Sequence, residues 1–376
     1  MRSKKTLRYL LFFFLANFCF DLSVAGPLFA QDPSAQTIEK PIPVNEAKEK
    51  SFSTLVEQQR QTLFSKNILE SECRILSKKG GLEFQSSLPE LSSQIELLVK
   101  VLKTSDEAAL VTLFHPRLKI GKDRAYEAFS LVKATLQEPY DFSIYRVWLL
   151  NTPNSKGENT RCAEDSLSLG SHFGYKMQAA TWIQILGSND LARIYVSWVP
   201  VPDLGWRIGA WHFQRWTHVG SDPESLRDKS LKLFKENKNH EALLTLDLAS
   251  KLLDYKYFLY PDMRKTMKNQ IAEWGGLASL FKKIKDAYPT WPLERVDSLY
   301  AEDGVGLNFT LRVPDDQTMP LRQKLCLTTS KEILNNKALA LDFLSGVRCA
   351  FVLPKESIER DGKLGGRYYS KAEVLK

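Results

Sequence analysis

The stretch that decides the fold is residues 175–219, YKMQAATWIQILGSNDLARIYVSWVPVPDLGWRIGAWHFQRWTHV. Its apolar and polar side chains alternate with a period of two and include many β-branched and aromatic residues, a pattern typical of strands. With one earlier run, the predicted strands are Phe142–Leu150, Tyr175–Leu186, Ala192–Val199 and Trp206–Val219. Because the last three are joined by short turns, we expect them to be antiparallel neighbours in one sheet.

Helical spacing replaces this alternation on the N-terminal side of the sheet. Apolar residues from Leu91 to Leu102 lie on one helical face, and Pro89 suits the first turn of that helix. Two further helices are predicted over Glu107–Phe114 and Lys122–Leu136. The order is therefore three helices followed by a curved antiparallel sheet.

This order resembles the nuclear-transport-factor-like superfamily, which includes ketosteroid isomerase. The resemblance covers residues 89–219 and is carried by Leu98–Arg117 (LVKVLKTSDEAALVTLFHPR) and Gly205–Val219 (GWRIGAWHFQRWTHV). It implies a cone-shaped α+β domain in which helices cover the concave face of the sheet and leave an apolar pocket between them.

The first thirty residues have the three parts of a secretory signal peptide. Arg2, Lys4, Lys5 and Arg8 precede the apolar run Tyr9–Phe20, and small residues allow cleavage after Ala25 or Ala30. A run of twelve residues is too short to span a bilayer as a helix. We therefore predict export to the periplasm or the medium, with no membrane span after cleavage.

The predicted fold class is α+β throughout, with several units. Residues 1–30 are the signal, 31–50 a polar linker, 51–88 a helical segment, 89–220 the cone-shaped domain, 221–288 a helical hairpin unit and 289–376 a small α+β domain. Within the helical unit, Lys235–Leu253 resembles a tetratricopeptide-like helix pair. In the last unit we predict strands at Leu307–Val313, Leu325–Thr328 and Val347–Leu353 with a helix over Ser330–Leu344.

Four cysteines remain once the signal is removed, and an even number suits an oxidising compartment. The pairings that respect the predicted units are Cys326 with Cys349 and Cys73 with Cys162. Since none lies in a C-x-x-C motif or a zinc-like cluster, we interpret all four as structural.

Strict alternation along the closing strand places Trp206, Ile208, Ala210, His212, Gln214, Trp216 and His218 on one face. The candidate pocket residues are the polar and aromatic members of this face with two tyrosines as hydrogen-bond donors. They are Trp206, His212, Gln214, Trp216, His218, Tyr195 and Tyr175. His115 is interpreted as a helix cap, and His172 and His240 are expected to be exposed.

Two functions compete. The first is a non-catalytic binding or scaffold protein that recognises a partner protein or an apolar ligand of the cell envelope. The alternative is an isomerase, dehydratase or hydrolase that uses the cone pocket with His212 or His218 and a tyrosine. The predicted strands carry no central Asp or Glu, and His212 and His218 would be about 20 Å apart on an extended strand, so binding is favoured.

Other classes are disfavoured by the composition and by missing motifs. The net charge of +8 falls to +5 after cleavage at Ala30, because residues 1–30 carry four bases and one acid. Together with export, this mild charge argues against a nucleic-acid partner. The chain has no Walker, Rossmann, nucleophile-elbow or H-E-x-x-H motif, so we expect no cofactor and no metal.

Overall fold

The computed structural model describes residues 46–65, 68–78, 84–136, 138–165, 167–253, 258–301, 304–314, 317–354 and 368–375. The predicted signal peptide and most of the predicted linker lie outside these residues. The prediction of an α+β fold is confirmed, with a curved antiparallel sheet and a small C-terminal sheet domain. The described chain divides into an N-terminal unit, residues 46–215 and 258–260, and a C-terminal unit, residues 216–253 and 261–375.

The N-terminal unit begins with helix α1, Glu46–Leu63, and strand β1, Glu72–Lys78. The predicted helical segment, residues 51–88, is therefore helical only as far as Leu63 and contains a strand at Glu72–Lys78. There β1 pairs antiparallel with the edge of the main sheet, and this tertiary pairing overrides the local helical spacing. Asn151 anchors the connection by donating to the carbonyls of Ile68 and Glu70 and accepting from Arg60.

Three helices follow at the predicted places: α2, Pro89–Thr104, α3, Glu107–Leu113, and α4, Lys122–Thr135. The α2 helix has Pro89 in its first turn and ends at Ser105 in the left-handed region. The Asp106 carboxylate caps α3 by accepting from the backbone N–H of Ala109. The C-cap residue of that helix is Phe114, and His115 caps not its end but the start of a short 3-10 turn, Pro116–Leu118, where its ring accepts from the backbone N–H of Arg117.

The main sheet has five strands in the order β1-β2-β5-β6-β7. All four pairings are antiparallel, which confirms the prediction for the three strands that short turns join. The strands after β1 are β2, Asp141–Asn151, β5, Met177–Leu186, β6, Leu191–Val201, and β7, Gly205–Arg215. Between β2 and β5 the chain forms two further strands, β3, Asn159–Cys162, and β4, Leu167–Gly170, which make a small sheet with β8, Phe258–Leu259.

Helices cover one face of the main sheet. The shared core contains Leu91, Ile95, Leu98, Leu110 and Phe129 from the helices. From the strands it receives Val147, Leu149, Met177, Ala179, Ile183, Ile194, Val196, Trp198, Trp206, Ile208 and Trp211. The helices thus cover the face of the sheet on which a cone-shaped domain of the predicted kind would have its pocket.

Bulges curve the sheet and change which side chains face the helices. The register shifts at Leu76 in β1, at Tyr145 in β2 and at Gly209 in β7. Each extra residue bends its strand and reverses the alternation beyond it.

The bulge at Gly209 corrects the predicted face of the closing strand. Before Gly209, the side chains that face the helices are Trp206 and Ile208. After Gly209, they are Trp211 and Phe213. Ala210, His212 and Gln214 therefore lie on the opposite face. An added Cβ at Gly209 would lie 3.0 Å from Nε2 of His172, so a larger residue there would force the imidazole to shift by a few tenths of an ångström.

The C-terminal unit is helical first and then α+β. Its helices are α5, Pro223–Lys235, α6, Asn239–Leu252, α7, Pro261–Glu273, α8, Gly276–Ala287, α9, Met319–Asn335, and α10, Lys371–Leu375. Its strands are β9, Leu293–Ala301, β10, Gly304–Arg312, β11, Gly346–Val352, and β12, Tyr368–Ser370, in the sheet order β12-β11-β10-β9.

The predicted strand at Leu325–Thr328 was wrong, because these residues lie within α9. Strands β10 and β11 pair in parallel, and a parallel pair needs a long crossover, which α9 supplies. The Cys326–Cys349 disulfide fastens this crossover helix to β11. No helix within the described ranges is long and apolar enough to cross a membrane.

Candidate functional site

The predicted pocket residues do not converge on one site. Trp206 faces the helices in the N-terminal unit, whereas Tyr195 and His212 pair across the opposite face of the sheet. Trp216 and His218 lie beyond the end of β7, in the C-terminal unit. The strand ends at Arg215, which pairs with Ala192 near the start of β6.

His218 has a structural role in the C-terminal unit. It is 2% exposed, and its Nε2–H donates to the carbonyl of Gly304 at 2.6 Å. Its ring packs edge-on against Tyr300, with the centroids 5.3 Å apart. A buried imidazole whose nitrogen is bound to a backbone carbonyl is a packing residue of this small sheet.

The helix-facing side of the closing strands is filled with side chains. Trp198, Trp206 and Ile208 are at most 1% exposed, and Trp211 is 6% exposed. The indole N–H of Trp198 donates to the hydroxyl of Thr181 at 2.9 Å. The space between the helices and the closing strands, where the resemblance implies a pocket, is therefore filled by packed indole rings.

The opposite face carries a packed cluster of aromatic rings and arginines. The guanidinium carbon of Arg193 lies 4.6 Å from the ring centroid of Tyr145 and 4.3 Å from that of Trp182. Trp182 packs edge-on against Trp148, whose indole N–H donates to Asp165 at 2.7 Å. These are cation–π and ring contacts typical of a closed interior.

A cavity of about 250 Å³ does open at one end of the helix-covered side. It lies between the end of α2, the last turns of α4 and the start of β2. We call it the mouth cleft, and its lining consists of Leu102, Lys103, Ser105, Phe129, Val132, Lys133, Tyr140, Asp141 and Phe142. The floor is apolar and the rim is charged, as in many small-molecule sites.

The rim of the mouth cleft carries charges of both signs. Asp141 pairs with Lys103 at 3.2 Å, and Glu138 accepts a long hydrogen bond of 3.4 Å from the Tyr140 hydroxyl. Burial raises the pKa of Tyr140, and the negative charge of Glu138 adds to this effect. Lys133 is exposed and makes no ion pair with any residue of the described ranges.

Tyr175 lies at the opposite end of the sheet from the mouth cleft, together with His115 and His172, which were not among the predicted pocket residues. The Tyr175 hydroxyl oxygen lies 2.9 Å from Nε2 of His115. His172, predicted to be exposed, is partly buried against Gly209. We call Tyr175, His115, His172 and Arg117 the edge cluster.

The histidines of the edge cluster resist protonation. Burial lowers the pKa of His172 to about 4, and the charge on His115 contributes to the shift. Burial likewise lowers the pKa of His115, with a contribution from the positive charge of Arg117. Both imidazoles are therefore neutral at pH 7.

Acidification is consequently expected to weaken the N-terminal unit. When the pKa of a histidine is lower in the folded than in the unfolded chain, its contribution to the free energy of unfolding is largest above the unfolded pKa of about 6.5. That contribution is lost as the pH falls toward the folded pKa of about 4, because the unfolded chain then binds the proton more readily. Between pH 7 and pH 5 the loss from His172 is about 1 to 2 kcal/mol. Urea unfolding at both pH values measures it, and His172→Gln should flatten the dependence. His212→Gln, which removes a histidine of β7, is the matched control; an equal slope in the two variants would contradict the assignment.

Both predicted disulfides are present. Cys73 of β1 is bonded to Cys162 of β3, and Cys326 is bonded to Cys349. Two disulfides indicate that the chain folds in an oxidising compartment. Among the residues that the structure describes, no three His, Cys, Asp or Glu side chains are placed to hold a metal ion.

No protein-family model, curated protein or solved structure matches this chain. The chemistry of the mouth cleft and of the edge cluster is therefore the basis for assigning a function.

Proposed function

We propose that this chain is an exported, non-catalytic binding protein that holds a small apolar ligand with an anionic end in the mouth cleft. The N-terminal unit is proposed to be a cone-shaped domain of the nuclear-transport-factor-like kind. Three helices followed by an antiparallel sheet with bulged strands support that likeness.

The observation that carries the proposal is the composition of the mouth cleft. Phe129, Val132 and Phe142 provide an apolar floor. A volume of about 250 Å³ is slightly below the range typical for drug-sized ligands, which suits a single ring or a short acyl chain. The ligand would bury its apolar part against this floor.

The inference that the ligand has an anionic end rests on how the charged side chains of the rim are paired. Asp141 and Glu138 already face Lys103 and Tyr140. Lys133 is the lining cation that has no partner within the described residues. A carboxylate at the rim would gain an ion pair there while staying in contact with water.

Export is supported by two independent features. The two disulfides favour an oxidising compartment, and the pattern of residues 1–30 predicts a secretory signal. Delivery to the periplasm or the medium would also give the cleft access to lipids and metabolites of the cell envelope.

Binding is favoured over the isomerase, dehydratase or hydrolase alternative by the positions of the candidate histidines. His212 lies on the face opposite the helices, and His218 is bonded to a backbone carbonyl in the C-terminal unit. The cleft itself is lined by Lys103, Lys133, Tyr140 and Asp141 as its ionisable groups. The acid–base pair that the alternative required is thus absent from that lining.

Calorimetric titration with octanoate and with octan-1-ol tests this assignment. An ion pair at a hydrated rim is worth about 1 kcal/mol, so octanoate should bind about five- to tenfold more tightly than the neutral alcohol. Lys133→Gln should remove this preference. Lys122→Gln, at the other end of α4, is the matched control and should keep it; equal affinities in the unmodified chain would refute the anionic end.

A further inference from the structure

The edge cluster is a second arrangement of polar groups in the N-terminal unit, far from the mouth cleft. Strand β2 starts at the cleft with Asp141 and ends at Asn151. The next residue, Thr152, donates its hydroxyl hydrogen to the carbonyl of Tyr175 at 2.6 Å. The two sites are thus separated by roughly 30 Å, the length of an eleven-residue strand.

Hydrogen bonding assigns the protons within the cluster. The backbone N–H of Arg117 donates to Nδ1 of His115 at 3.0 Å, and a backbone N–H can only donate. Neutral His115 must therefore carry its hydrogen on Nε2 and donate it to the Tyr175 oxygen, 2.9 Å away. Tyr175 acts as the acceptor in this bond, so its own hydroxyl hydrogen remains to be donated to another group.

The side chain of Gln178 fixes the backbone of His172 and Tyr175 by hydrogen bonds. This buried side chain accepts from the N–H of His172 at 2.6 Å and donates to the carbonyls of His172 and Tyr175 at 2.9 and 3.1 Å. The ring of His172 is in turn placed against Gly209 of the bulge. The cluster is therefore preorganised and does not depend on a mobile loop.

The charge of the cluster has one sign. Arg117 is exposed, and its positive charge lowers the pKa of His115 and opposes the rise that burial causes in the pKa of Tyr175. When His115 is protonated, its positive charge in turn disfavours protonation of His172. No carboxylate within the described ranges contributes to these pKa shifts, and His115 and Tyr175 are both partly open to solvent.

We propose that the edge cluster binds a small oxyanion, a carboxylate or a phosphate group, between the Tyr175 hydroxyl and the Arg117 guanidinium. A phenolic O–H and a guanidinium are charge-complementary donors for such a group. The neighbouring imidazoles add a proton-dependent attraction, because protonation of His115 or His172 would add positive charge to the cluster near the bound anion. Binding should therefore strengthen as the pH falls from 7 to 5.

The test follows the imidazole nitrogen resonances of the histidine-labelled chain during titration with inorganic phosphate or with acetate at constant ionic strength. Saturable shifts of His115 and His172 with either anion are expected, and the more tightly bound anion identifies the head group. Tyr175→Phe and Arg117→Gln should each weaken binding about tenfold, the cost of a lost charge-assisted hydrogen bond. Tyr126→Phe, at an exposed tyrosine of α4, should bind like the unmodified chain.

Two results would overturn the proposal. One is the lack of any saturable shift at these two histidines with both anions. The other is binding that is unchanged in both Tyr175→Phe and Arg117→Gln. Because Arg117 is exposed, its variant should fold normally and keeps the test valid even if Tyr175→Phe is destabilised.

Discussion

Removing the Cys73–Cys162 disulfide is expected to lower the free energy of unfolding of the N-terminal unit by about 4 to 5 kcal/mol. The bond closes a loop of 89 residues, and cross-linking a long loop reduces the entropy of the unfolded chain strongly. It also ties β1, an edge strand, to β3 of the small sheet. Native domains are stable by only about 5 to 15 kcal/mol, so this loss would leave the unit marginal.

The measurement is urea unfolding of Cys73→Ala/Cys162→Ala, followed by tryptophan fluorescence and far-ultraviolet circular dichroism. Cys326→Ala/Cys349→Ala is the matched comparison, because it opens a loop of 23 residues and should cost its own unit about 3 to 4 kcal/mol. A loss below 1 kcal/mol for the first pair would contradict this role. It would also remove the thermodynamic reason for folding in an oxidising compartment.

Replacing Trp198 with alanine is expected to cost the same unit about 3 to 5 kcal/mol. The indole is fully buried between the helices and the sheet, so truncation would leave a large cavity. It would also leave the buried hydroxyl of Thr181 without its donor. Both effects act on the core that holds the helices to the sheet.

Trp198→Phe separates these two contributions. It keeps most of the ring volume and loses the indole N–H, so a cost of about 1 to 2 kcal/mol is expected for the orphaned Thr181 hydroxyl and the smaller ring. Denaturant midpoints at constant slope give both values. If Trp198→Ala cost no more than Trp198→Phe, the packing of this core would differ from the one described.

The overall fold was predictable because alternation and short connections act locally. The runs around Ile183, Val196 and Trp206 alternate clearly, and short turns make neighbouring strands antiparallel. The α+β class follows from these runs and the preceding helical spacing. The place of β1 beside β2 did not follow, because pairing at a sheet edge is set by tertiary contacts that no local pattern encodes.

The bulges explain why the predicted pocket face was wrong. Strict alternation continues from Trp206 to His218 only if no residue is inserted, and Gly209 is such an insertion. A glycine inside a strand is a known signal for a bulge or a close approach. That signal could have moved His212 and Gln214 to the opposite face and drawn attention to His172.

The mouth cleft could not be predicted, since its lining comes from three elements distant in sequence. Leu102, Val132 and Phe142 each read as ordinary core positions of α2, α4 and β2. Only their arrangement leaves a cavity between them. In the sequence, Lys103 and Lys133 likewise look like ordinary solvent-exposed lysines of a helix. Only the structure shows that both lie at the rim of the mouth cleft.

The most direct test of the central claim is a crystal structure of the chain grown with 8-bromo-octanoate. We expect an anomalous bromine peak on the apolar floor formed by Phe129, Val132 and Phe142, with the carboxylate at the rim near Lys133. An empty cleft at saturating ligand, or a ligand bound only at another place in the fold, would contradict it.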